Sequence, residues 1–434
     1  MKKALLLSAA LIFSALQNFA TNVSGIIATN TNWTKANSPY IVTGDIDVDT
    51  NVVLTIEPGV TVKVDGNYAI YVDGIINAAG TGTDNILFTS NKPNPAVSDW
   101  KGILVRRMST TDTLVFDHCH MQYADKAISI YAPVNITNSL FDYNQTGVET
   151  QLYAEIINCK FLSNYSLGYC RWGVITNCEI AYNINGFSAE GTITYNKIYK
   201  NGSGISFNDW QTNVVSNIIA YNSGAGLIIG GGTILNNQVW YNGIGLTYYH
   251  NAYTAHNGIK HNGIGIQVGW QNPGIVEYNC IEDNNQYNFK NSAVNLMDMS
   301  NNYWGASDSA TVMTKIFDYY SDFSKGKTIL TPLLQSEDSG CAATIDIPTT
   351  GIKETAAAND VKVYPNPANT NFFIESPMPI SRVILYDITG KQVFVDNPVK
   401  NNVSVDVSAL TQGLYLYRVY LTNNNIVTGK LIKN

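Results

Sequence analysis

Charge is scarce in this 434-residue chain. Asp, Glu, Lys and Arg make up 14% of it, 26 basic against 33 acidic residues, for a net charge of −7. That balance excludes nucleic acid as a partner, since phosphate binding needs clustered Lys and Arg. The Glu, Lys, Ala and Leu enrichment of a coiled coil or helical bundle is missing too. Cysteine is sparse: Cys119, Cys159, Cys170, Cys178, Cys280 and Cys341 are too few and too uneven for a disulfide scaffold. No CxxC or His/Cys spacing suggests zinc. No apolar run is long enough to span a bilayer. The stretch Ala4 to Leu16, behind Lys2 and Lys3 and ahead of Ala20, reads as a signal peptide over residues 1–20. The chain has instead 27 Tyr, 34 Gly and about fifty Asn, with 45% hydrophobic residues. This composition argues against disorder and for an exported all-β protein.

The middle of the chain repeats. One ladder holds Met121, Phe141, Phe161, Ile180, Ile198, Ile219, Val239, Ile259 and Ile281. Two residues earlier stand Cys119, Ser139, Cys159, Cys178, Asn196, Asn217, Asn237, Asn257 and Asn279. Three residues after the apolar position come Asn144, Asn164, Asn183, Asn201, Asn222, Asn242, Asn262 and Asn284. A period near twenty with short β-branched runs predicts a parallel β-helix of three strands per coil, about nine coils in this stretch. Each ladder residue then sits roughly 4.8 Å above its counterpart. Asn tolerates left-handed turns and can hydrogen-bond along the axis. Gly147, Gly186, Gly204, Gly245 and Gly265 are read as serving the next turn. Stacked thiols are expected at Cys159 and Cys178, although a disulfide between adjacent coils is geometrically possible.

These repeats resemble the right-handed parallel β-helix repeat proteins, and the hand of the helix comes from that likeness and from strand twist. The segments LTIEPGVTVKV and DWKGILV look like the opening of bacterial surface β-helices. Asn301-Asn302-Tyr303-Trp304-Gly305, followed by an apparently helical DSATVMTKIFDYY, resembles their closing coil. The expected solenoid covers residues 21–335: opening coils 21–112, regular coils 113–300 and a cap 301–335. Residues 336–360 are small, polar and aperiodic, and read as a linker. Residues 361–434 alternate like a small β-sandwich. They resemble the C-terminal sorting domain (type A) of type IX secretion through Tyr364-Pro365-Asn366-Pro367, Gly390-Lys391, Gly413-Leu414-Tyr415 and Gly429-Lys430-Leu431. That likeness implies the type IX machinery as a partner, removal of the domain in or near the linker, and a mature protein secreted or on the outer cell surface.

The Asn ladders are structural in this reading, because inward stacking accounts for them. The outward positions are the candidates for function. Trp172, Asn208, Trp210, Tyr249 and Trp270 follow the glycine turns of the coils and could stack on sugar rings or bind hydroxyls. For hydrolysis, Glu190 and Asp209 form the best acid pair, with Glu149 two coils from Glu190. A glycosidase needs two carboxyls roughly 5 to 9.5 Å apart. A uronate lyase would need a basic residue, and Arg171 is the one Arg of residues 113–292, among seven basic residues against eleven acids. His118 and His120 flank an inward Cys119 and are expected outward on one strand, as an exposed pair rather than a metal site. Asp45, Asp47 and Asp49 could face calcium, but no EF-hand pattern supports it, so no cofactor is expected. The leading expectation is a non-catalytic module binding extracellular polysaccharide. A glycan-degrading enzyme and a structural or adhesive surface protein are the alternatives.

Overall fold

The computed structural model describes residues 20–434 apart from 107–112, 271–272, 342–343, 348–360, 388–391, 399 and 422–425. The expected signal peptide lies outside the described residues but for Ala20, as do Gly390 and Lys391. Two compact units divide the chain, residues 1–347 and 348–434.

From residue 21 to 291 the chain is a parallel solenoid of about 13 turns. Apolar and polar residues alternate for only three to five positions at a time, so each coil breaks into short strands separated by turns. Three strand ladders result. The first includes Leu114–Asp117, Val134–Thr137 and Ala154–Ile157. The second includes Cys119–Gln122, Leu140–Asp142 and Lys160–Leu162. The third includes Ala124–Ile130, Thr146–Thr150 and Ser166–Thr176, the last running on into the first ladder of the next coil. The apolar ladder from Met121 to Ile281 is in parallel register across every step. Its residues are fully buried.

The buried Asn form two continuous hydrogen-bonded columns. In the one through Asn222, Asn201 Nδ2 donates to Asn222 Oδ1 at 3.1 Å and Asn222 Nδ2 donates to Asn242 Oδ1 at 2.9 Å. Each Oδ1 also accepts the backbone N–H of the Asn before it, as Asn222 Oδ1 does from Asn201 at 3.0 Å. The left-handed turn that such Asn were expected to supply belongs to the residue just before them. Tyr182, Lys200, Tyr221, Tyr241 and His261 have φ between 55° and 61°. The thiols of Cys119, Cys159 and Cys178 are free and buried in the other column. Each donates to a carbonyl of the coil before (Ala78, Ile136 and Ile156, at 3.4 to 3.5 Å), the kind of bond that Asn Nδ2 makes higher up.

The glycines of the third ladder also need a different account. Gly186, Gly204, Gly245 and Gly265 do not have positive φ. A Cβ on any of them would stand 2.1 to 2.5 Å from a carbonyl oxygen of the next coil, so close approach demands glycine there.

At the far end the expected helix is one short turn, Ser309–Met313, capped by Asp308, whose Oδ1 accepts the Thr311 N–H at 2.9 Å. Trp304, Val312 and Ile316 close the core beneath it. The chain then folds back. The described part of the expected linker, residues 336–341 and 344–347, lies as a strap against the second ladder. A disulfide joins Cys341 to Cys280, a pair the sequence did not suggest. His256 Nδ1 stands 2.9 Å from Asp338 Oδ1, Lys260 Nζ 3.1 Å from Glu337, and Lys197 Nζ 2.7 Å from Asp346. Ile347 packs on Ala181, Tyr199, Ala220 and Trp240, so those two aromatic residues belong to a buried contact.

The C-terminal unit is an antiparallel arrangement of six strands. Its longest, Asn371–Tyr386, pairs by its first half with Lys362–Tyr364 and Lys400–Asp406, and by its second with Gln392–Asp396 and Gly413–Leu421. The last strand, Ile426–Lys433, pairs with Gly413–Leu421. Phe372, Ile374, Leu385, Val405, Val419 and Leu431 fill the core, consistent with the expected small sandwich.

Candidate functional site

The candidate residues gather where the third ladder meets the following corner. Ser129, Glu149, Tyr169 and Ser188 stand in register on successive coils, facing outward. Beside them Arg171 and Glu190 follow Cys170 and Ala189, which are themselves in register. Arg171 Nε lies 3.5 Å from Glu190 Oε2, an ion pair without a hydrogen bond. The guanidinium carbon lies 4.2 Å from the centre of the Trp172 ring.

Trp172 sits where the pairing slips between Cys170 and Gly173, with φ of 48°. A bulky residue in the left-handed region is uncommon, and here the bulge turns the indole out of the sheet. Burial, then the neighbouring carboxylates of Glu190 and Asp209, push the Tyr169 phenol above its ordinary range, with Arg171 opposing. Tyr169, Arg171, Glu190 and Asp209 therefore share one electrostatic neighbourhood.

Asp209 belongs to a loop between Ile205–Phe207 and Asn213–Val215, and its Oδ1 accepts the Gln211 N–H at 3.3 Å. The next coil makes room for this loop with Gly230-Gly231-Gly232. A Cβ at Gly230 would stand 2.4 Å from Asn208 Oδ1. Glu149 is engaged elsewhere, 2.6 Å from Lys126 Nζ. Trp172, Trp210, Tyr249 and Trp270 all project from this corner and are 50%, 66%, 51% and 78% exposed. Trp210 meets His250 at a ring distance of 6.4 Å.

Two features escaped the sequence. Tyr169 stands in register with Glu149, a juxtaposition that ladder spacing could have disclosed. Nearer the first coils, a cleft of about 560 Å³ is lined by Lys101, Leu104, Arg106, Lys126, Ser129 and Tyr131. Arg106 there is gripped by Asp47 and Asp73, so Asp47 serves an ion pair. Asp45 accepts the Ala69 N–H and faces Lys101 at 3.4 Å.

The two histidines do not share a strand. His118 occupies a left-handed turn beside Asp117 at 3.0 Å, and His120 Nε2 lies 2.8 Å from Asp142 Oδ1 on the second ladder. No group of three metal-ligating side chains occurs among the described residues.

In the C-terminal unit the motif residues tie its ends together. Asn366 Nδ2 donates to Lys430 O at 2.7 Å, and Asn366 Oδ1 accepts the Ile432 N–H at 2.9 Å. Pro365 and Pro367 flank that clamp. Tyr415 is buried and donates its hydroxyl to Thr411 O at 2.8 Å. Gly413 pairs with Lys433, and Gly429 pairs with Tyr417, whose ring would strike any Cβ at position 429.

Residues 362–434 match the family described as secretion system C-terminal sorting domain, and residues 25–120 match the pectate-lyase like beta helix domain. The chain is a parallel β-helix protein with a type IX sorting domain. The sorting domain directs export to the cell surface or the extracellular space. No helix among the described residues is long and apolar enough to cross a membrane. No curated protein matches the chain. Among solved structures, the crystal structure of the periplasmic alginate epimerase AlgG is similar at 14% identity, over 68% of this chain and 74% of that one, with a TM-score of 0.22. So low a score carries no argument about the site.

Proposed function

We propose that the sorting domain delivers a solenoid that binds an extracellular polysaccharide along the corner after the third ladder. The observation that carries this reading is the row of exposed aromatic side chains there, beside the polar cluster of Tyr169, Arg171, Glu190 and Asp209. Flat aromatic faces stack on sugar rings, and the amide of Asn208 and the cluster offer partners for hydroxyls. The cations on this face already have carboxylate partners, which suits a neutral or weakly charged polymer better than a polyanion.

A second reading is glycan cleavage at Glu190. The Glu190 carboxyl, with Arg171 at 3.5 Å and the Tyr169 phenol within its electrostatic reach, is an acid that could move a proton. One experiment separates the two: the purified protein is run through affinity gels containing plant, algal and bacterial polysaccharides, and each mixture is assayed for new reducing ends or unsaturated products. Retardation without products is expected, and it should weaken in Trp172→Ala, Trp210→Ala and Trp270→Ala. Products that vanish in Glu190→Gln would establish the enzyme instead. Silence in both readouts would leave an adhesive or structural shaft.

A further inference from the structure

The two halves of the long C-terminal strand Asn371–Tyr386 carry different outward faces. In its second half, Ile384 and Tyr386 alternate with the core residues Val383 and Leu385. Ile384 stands opposite Arg418, and Tyr386 opposite Leu416. One strand on, Leu416 faces Lys430 and Leu414 faces Ile432. Leu414, Leu416 and Ile432 are 40%, 42% and 47% exposed, and Lys430 is exposed beside them. None of these positions holds a carboxylate. The first half is different, since its outward pairs mix signs and polar groups: Lys362 with Glu375, and Asn371 with Asp406. The sorting motif points to the apolar face as well. Tyr415 and Leu431 are buried, and Gly429 makes room for the Tyr417 ring, so the fold accounts for them. Leu414 and Lys430, the middle residues of those two motif segments, are exposed, and the fold does not account for their identity. Charge also sets this unit apart. Residues 361–434 hold seven Lys and Arg against four Asp and Glu, whereas residues 21–360 hold 17 against 29.

We infer that this apolar and basic face is where the sorting domain docks on the type IX machinery, against a protein surface that is apolar at its centre and acidic around it. The family match supplies that partner. Leu414, Leu416 and Ile432 form one patch, because residues two apart on a strand and residues opposite each other on neighbouring strands share a face. Apolar side chains exposed together in this way mark an interaction surface. Lys430 and Arg418 edge the patch. The Arg418 guanidinium carbon lies 5.8 Å from the centre of the Tyr386 ring, and Arg418 Nη1 donates to the Tyr420 hydroxyl at 3.4 Å. That cation is therefore held along the face by its aromatic neighbours. An apolar centre with aromatic and Arg side chains beside it is the composition of a protein–protein contact. Cations with no carboxylate among them attract an acidic partner and repel a basic one, which favours one orientation of docking. An anionic membrane would share the attraction to cations. The sorting function favours a protein, since export by one machinery needs recognition that a lipid surface does not give.

The test expresses the full chain in cells that carry the type IX machinery and measures the fraction that reaches the surface and medium rather than the periplasm. Leu416→Asp puts a charge at the centre of the patch and should cut the exported fraction at least about tenfold. Lys430→Glu reverses a charge at its edge, keeps the apolar residues and should also hold the protein in the periplasm. Phe373→Asp is the control, an equally exposed side chain (44%) on the other half of the long strand, and should be exported normally. Melting temperatures of the purified variants, each altered at an exposed side chain, should match that of the parent chain. Normal export of a folded Lys430→Glu together with normal export of Leu416→Asp would overturn the inference. So would a loss in Phe373→Asp as large as that in Leu416→Asp. Flotation with vesicles of anionic phospholipid separates the remaining source of the attraction. Binding of the parent chain that disappears in Lys430→Glu would assign the face to the membrane instead, and no flotation of either is expected.

Discussion

At the scale of single residues, the Asn columns hold the turns of the solenoid together. An inward amide in a turn can satisfy a carbonyl of the coil before it and the N–H of its own ladder neighbour, which no apolar residue can do. Asn222 is the clearest case, since Asn201 and Asn242 flank it and its Nδ2 also reaches Ile198 O at 3.2 Å. Asn222→Ala leaves the Asn201 N–H unpaired in the core and removes one of the bonds to the Ile198 carbonyl. It should cost about 2–4 kcal/mol, read as a lower urea midpoint, whereas the exposed Asn213→Ala should be nearly neutral. Both Asn columns were legible in the sequence, because a ladder residue recurs with the coil. Which residue takes the left-handed turn was not. It falls to Tyr221, Tyr241 and His261, whose rings stack at 4.7 and 5.0 Å along the outside, a contact that helps offset the backbone cost.

At the scale of elements, the strap of residues 336–341 and 344–347 is the feature with most at stake. It crosses the outward side of the second ladder from the strand of Cys280 back to that of Ala181. This run covers five coil steps, about 24 Å. The disulfide closes a separation of 61 residues and so removes freedom from the unfolded chain. Its ion pairs are mostly exposed and contribute little each. Cys341→Ser should therefore raise hydrogen exchange across 336–347 while the solenoid core keeps its protection. Unchanged exchange would mean that Ile347 and the ion pairs suffice. A small, polar, aperiodic stretch gave no hint of this docking, because its partners lie far away in sequence.

At the scale of the whole molecule, two units with separate cores divide the labour. Deleting residues 361–434 should leave the solenoid folded, with an unchanged β-sheet dichroism and melting temperature, and should abolish its appearance outside the cell in fractionation. Loss of the fold on deletion would contradict two independent cores. What the sequence determined by itself was the coil period, the inward ladders, the cap and the sorting motif, because each is a pattern repeated or confined within a few tens of residues. Only the tertiary structure decided the strap, the Cys280–Cys341 bond and the union of Tyr169, Arg171, Glu190 and Asp209 on one corner. The physical reason is periodicity: stacking places a residue beside its counterpart one coil away, so ladders leave a mark in the sequence. A contact such as Lys197–Asp346, across 149 residues, leaves none.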